Sequence, residues 1–79
     1  IVMIAAPRMT DSDKLLKILR DADGAWVEHG TILRRFQLFY GHGATIHSRA
    51  ATLRKRGYQV ENRTERVDGR VRSWYRVTS

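Results

Sequence analysis

The hydrophobic positions of the chain change period twice, and the changes divide it into elements. In "TDSDKLLKILRDADG", residues 10–24, Leu15, Leu16, Ile18, Leu19 and Ala22 fall at i, i+1, i+3, i+4 and i+7, which is one face of a helix. Thr10 or Ser12 can cap its start, Asp11 and Asp13 suit the positive end of its dipole, and Gly24 ends it. "AWV" then reads as a short extended piece that buries Trp26 and Val27. "EHGTILRRFQLFYGHG" predicts a second helix with Ile32, Leu33 and Phe36 on one face and Arg34 and Arg35 on the other, broken by Gly41 and Gly43.

In "ATIHSRAATLRKRG" a third helix, over about 44–56, has a narrow stripe of Ile46, Ala50 and Leu53 closed by Gly57. Helix, glycine-containing turn and helix make a helix-turn-helix arrangement. At about 100° per residue, the face opposite the stripe is centred on Ser48, Ala51, Thr52 and Lys55. Thr45, Arg49 and Arg56 lie along one flank, His47 and Arg54 along the other. A polar, cationic, narrow face of this kind fits a DNA major groove, where short side chains permit close approach and longer ones reach base edges and phosphates.

From residue 60 the period becomes two. Asp68-Gly69 is a preferred dipeptide for a two-residue hairpin loop. Such a loop sets Val60 opposite Val77, Glu61 opposite Arg76, Asn62 opposite Tyr75, Arg63 opposite Trp74 and Glu65 opposite Arg72. Val60, Tyr75 and Val77 then share the side that packs on the helices, while Arg63, Arg70, Arg72, Trp74 and Arg76 share the other. The fold class read from this order is α+β: three helices followed by a C-terminal β-hairpin wing, a winged helix-turn-helix.

Charge adds a function class to the fold. The chain has 79 residues, 42% of them hydrophobic and 29% charged, enough for one globular domain and too few for two cores. Residues 1–43 carry six Lys or Arg against five Asp or Glu, a net +1, while residues 44–79 carry nine against three, a net +6. The excess implies a polyanionic partner. A membrane surface is the weaker choice, because no basic helix carries the broad apolar face that interfacial insertion requires. The opening "IVMIAAPRMT" is too short for a membrane span and lacks the form of a signal peptide. An Ile at position 1 suggests a chain trimmed, tagged or cut from a longer one, with Met3 or Met9 as candidate natural starts. Residues 1–9 are an arm or extra edge strand outside the domain, which covers 10–79.

Catalysis has almost no inventory here. There is no cysteine, so neither a disulfide scaffold nor a thiolate zinc site. His29, His42 and His47 lack an acidic partner at metal-binding spacing. His47 and the neighbouring Ser48 project about 100° apart on a helix and cannot pair directly as base and nucleophile. No phosphate-cradling glycine loop is present. No metal, cofactor or catalytic residue is expected.

"IHSRAATLRKRGYQVENR" followed by "DGRVRSWYRV", with "GAWV" upstream, resembles a family of small winged-helix domains found in bacteriophages and prophages. The resemblance covers residues 12–78. Its most specific part is the Ser-Arg, Leu-Arg, Arg-Gly-Tyr and Glu-Asn-Arg series with the Tyr-Arg-Val ending, whereas "RRFQLFYGHG" is less characteristic. It implies a DNA-binding fold in the cytoplasm of a bacterial host, with Thr45, His47, Ser48, Arg49, Thr52 and Lys55 for the groove and Arg63, Arg66, Arg70 and Arg72 for the wing. The expected partner is double-stranded DNA, on which copies could self-associate. Arg49 could instead pair with an acidic residue of the first helix, and Trp74 could cover the stems of Arg63, Arg72 and Arg76. Three roles stay open: a small transcriptional regulator, an excisionase-like architectural protein that bends DNA, or a protein-interaction module. The last would show Trp74 and Phe39 or Tyr40 as an exposed apolar patch and the arginines scattered.

Overall fold

The computed structural model describes residues 9–41, 43 and 45–78. Their order is α1 (Asp11–Asp21), β1 (Val27–Glu28), α2 (His29–Tyr40), α3 (Ile46–Lys55), β2 (Val60–Val67) and β3 (Arg70–Val77). The architecture is a small α+β domain of three helices and a three-stranded antiparallel sheet, compatible with a winged helix. Of the arm read into residues 1–9, all but Met9 lies outside the described part.

Each helix begins or stops for a local reason. Thr10 caps α1 and forms a capping box with Asp13: the Asp13 N–H donates to the Thr10 hydroxyl oxygen at 3.2 Å, and the Thr10 N–H donates to the Asp13 carboxylate at 3.0 Å. Asp23 and Gly24, at φ 52° and 84°, turn the chain out of the helix. Gly41 ends α2 in the left-handed region at φ 75°, its N–H donating to the Gln37 carbonyl. The third helix is shorter than the sequence pattern implied, Ile46 to Lys55, with Thr45 extended at its cap position.

At the other end of α3, Gly57 has φ 98°. Its N–H donates to the Arg54 carbonyl at 3.0 Å and that of Tyr58 to the Leu53 carbonyl at 3.1 Å, the paired bonds of a Schellman turn. Arg54 completes the junction, its Nε donating to the Val60 carbonyl at 2.8 Å. The last turn of α3 is thereby tied to the first residue of β2.

The sheet order is β1-β3-β2. The hairpin register agrees at every pair with that expected from Asp68-Gly69, from Val60 opposite Val77 to Val67 opposite Arg70. Both turn residues have positive φ, 51° and 76°, as a type I′ turn requires. The short β1 adds Val27 opposite Tyr75 and Glu28 opposite Trp74.

The core holds Leu15, Leu16, Ile18 and Leu19 of α1, Val27 of β1, Ile32 and Phe36 of α2, Ile46, Ala50 and Leu53 of α3, and Val60, Tyr75 and Val77 of the sheet. Burial lifts the Tyr75 phenol above its ordinary pKa, partly offset by Arg54, so the ring stays neutral in the core. Trp26 departs from the sequence reading. It is half-buried and not a core residue, because its ring lies under the Arg76 guanidinium, 4.4 Å from the ring centre.

Only the base of the hairpin rests on this core. Residues 61–72 are all exposed, and β1 pairs no further along β3 than Trp74. Beyond that point two strands project alone. Each strand of eight residues spans about 26 Å at the usual rise.

Candidate nucleic-acid interface

The stripe of Ile46, Ala50 and Leu53 fixes the rotation of α3 by burying completely or nearly so, and the opposite face turns outward. His47, Ser48 and Lys55 are exposed, with Ala51 and Thr52 partly so. Thr52 keeps its hydroxyl within the helix, donating to the Ser48 carbonyl at 3.1 Å, and presents its methyl group. Lys55 has no ion pair among the described residues.

The two flanks of α3 face neighbours. On one side lies the N-terminus of α1: Arg49 Nη2 is 3.8 Å from Asp11 Oδ2, and Arg56 Nη1 is 2.9 Å from Asp13 Oδ1. The Asp13 carboxyl is held below the usual carboxylate range, first by the Thr10 backbone N–H, then by the Thr10 hydroxyl and Arg56. On the other side Arg54 reaches Val60. Helical spacing identified these flanks correctly, but two of the three arginines on them face carboxylates.

The outward face of the sheet carries a similar network. Arg76 pairs with Glu61 at 2.8 Å, as the register implies. Arg63 pairs with Glu65 on its own strand and lies over the Trp74 ring, 5.9 Å from its centre. Arg72 stands opposite Glu65 in the register yet pairs with Glu28 at 3.7 Å, because β1 sets Glu28 on the same face next to Trp74. The expectation for Trp74 is met by Arg63, while Arg76 covers Trp26 instead.

Near the tip, Arg66 and Arg70 are exposed and have no ion pair among the described residues. They lie on opposite faces of the ribbon. Arg66 stands opposite Val71 on the face continuous with the core, and Arg70 opposite Val67 on the outer face. The pairing rule that located Arg63, Arg70 and Arg72 also separates Arg66 from them. The pairing of Arg49 with an acidic residue of the first helix was open in the sequence reading and is met by Asp11, whereas Asp13 as the partner of Arg56 and Glu28 as that of Arg72 were missed. Their signal was present only as acidic residues that cap or precede helices.

Away from this surface, Leu38 and Phe39 at the end of α2 are 78% and 62% exposed, beside a groove floored by Ile18 and Tyr40. Among the described residues no cluster of three or more potential metal ligands occurs, and no helix is long and apolar enough to cross a membrane. No family model, curated protein or solved structure matches the chain.

Proposed function

We propose that the chain is a winged helix-turn-helix domain that binds double-stranded DNA, with α3 in the major groove and the tip of the β2-β3 ribbon on the minor groove or the backbone. The observation that carries this reading is the combination of an outward polar face on α3 with a projecting ribbon whose tip cations, Arg66 and Arg70, have no ion pair among the described residues. Ser48, Thr52 and Ala51 are short enough to allow backbone approach, and His47 and Lys55 reach further. Arg49 offers planar donors that suit guanine O6 and N7. Arg56, bonded to Asp13 of α1, is left to hold the reader in place.

The test is selection of bound sequences from random duplex DNA, followed by footprinting of the wild type and Arg49→Ala. A defined site should emerge, and Arg49→Ala should weaken that site by about 1 to 3 kcal/mol with little effect on unrelated duplex. Enrichment of no sequence, together with no binding at low salt, would remove the proposal. A circular-permutation gel on the selected site separates a regulator that leaves the duplex straight from an architectural protein that bends it.

A protein-interaction module is a second reading, favoured by the exposed Leu38 and Phe39. Trp74 does not join that patch, being half-buried on the sheet beside Arg63. Under the DNA reading Phe39→Ser leaves duplex affinity unchanged.

A further inference from the structure

Two arginines of α3 face two aspartates of α1, but the contacts differ in kind. At 2.9 Å, Arg56 donates a direct hydrogen bond to Asp13. At 3.8 Å, Asp11 is past hydrogen-bond reach of Arg49 Nη2. The carboxylate offsets the charge of Arg49 without occupying its donors at that atom. Arg49 Nε is buried, and no described residue accepts a bond from it. The side chain as a whole is 41% exposed, so the guanidinium is buried along one edge and open along another. Asp11 also lies 3.6 Å from Lys14 on its own helix.

We infer that Asp11 is a positioning residue for sequence discrimination: it holds Arg49 at the flank of α3 and cancels the attraction Arg49 would have for any phosphate. The inference rests on the DNA reading above. An uncompensated arginine raises affinity for every duplex alike, since phosphates carry no sequence information. An arginine already beside a carboxylate gains little by exchanging one anion for another. It gains more from a base edge with two acceptors, where directional donors count as well as charge. Asp11 thus lowers the background without lowering the specific signal. Asp13 acts otherwise, since its capping box and its bond to Arg56 brace α1 against α3.

The experiment compares wild type, Asp11→Asn, Asp11→Glu and Asp21→Asn on the selected duplex and on a random-sequence duplex pool of the same length. Asp21 pairs with Lys17 on α1 at 3.9 Å, so Asp21→Asn makes the same charge change away from α3. Asp11→Asn should tighten binding to the random pool about five-fold, the scale of one modest ion pair. Its log–log salt dependence should steepen by about 0.9, one added phosphate contact. Discrimination should fall by a similar factor, while Asp11→Glu and Asp21→Asn stay near wild type. Asp11→Ser, a residue suited to a first helical turn, replaces Asp11→Asn if melting shows the latter to be unfolded.

Equal effects of Asp11→Asn and Asp21→Asn would overturn the inference in favour of net charge alone, as would unchanged discrimination in Asp11→Asn. Failure of the wild type to bind either duplex at low salt would instead remove the DNA reading, and the inference with it.

Discussion

The ion pairs make a quantitative claim about salt. Nine Lys or Arg residues lie between positions 44 and 79. Five of them face carboxylates: Arg49, Arg56, Arg63, Arg72 and Arg76. On the proposed DNA reading, Arg54, Lys55, Arg66 and Arg70 remain to neutralise phosphates. At about 0.9 per phosphate, four contacts give a log–log salt slope of about −3.6, whereas nine would give about −8. Raising KCl from about 50 to about 200 mM then weakens binding about 150-fold in the first case and nearly 10⁵-fold in the second. The perturbation is the double variant Arg66→Gln with Arg70→Gln, which removes two of the four. Its slope should fall to about −1.8 and its loss over the same range to about 12-fold. Fluorescence anisotropy on a labelled duplex of about 20 base pairs, titrated at several salt concentrations, measures both. A wild-type slope near −8 would mean that the carboxylate pairs open on DNA. An unchanged slope in the double variant would mean that the ribbon tip does not touch phosphate.

The remaining predictions concern stability. Gly57→Ala should cost about 1 to 2 kcal/mol in chemical denaturation with an unchanged m-value, because φ is 98° and a Cβ there meets nothing within 4 Å, leaving only the backbone penalty. Asp13→Asn should lower the thermal midpoint at neutral pH, and the gap to wild type should close as pH falls. The Asp13 carboxyl is depressed below its ordinary value of 3.8 in the fold, so the stability it contributes is complete above that value and is lost as pH drops through the lower folded one. A gap that stays constant into acid would show that the charge of Asp13 is not what matters. Val71→Ser should change global stability by less than about 0.5 kcal/mol, since Val71 is 64% exposed on the projecting ribbon. A larger loss, read from the same denaturation curves, would mean that the tip packs against the helices.

Local grammar made most of the fold legible. The 3.6-residue period located the apolar faces of all three helices, Thr10 and Gly57 marked two of their ends, and Asp68-Gly69 fixed the whole hairpin register. Apart from the pairing of Arg49 with an acidic residue of the first helix, what escaped was contact between segments distant in sequence. Arg56 and Asp13 are 43 positions apart, and nothing in either segment names the other. Arg72 illustrates the same limit: its cross-strand partner was correct, but a third strand brought Glu28 beside it. Trp26 was misjudged because a tryptophan next to a core valine reads as core, while an arginine from β3 can cover an aromatic face equally well. The candidate site was therefore visible as a set of residues, but the division between cations with no ion pair among the described residues and cations that brace the fold was not.

The Arg54 bond to the Val60 carbonyl, with the left-handed turn at Gly57, closes a joint of four residues, 56–59, between α3 and β2. None of the side chains of His47, Ser48, Thr52 or Lys55 takes part in it. Exchanging those four side chains would rewrite the lettering on the helix while the angle between the two arms of the caliper stayed as it is. On the proposed DNA reading, what the domain recognises can drift without disturbing how it grips.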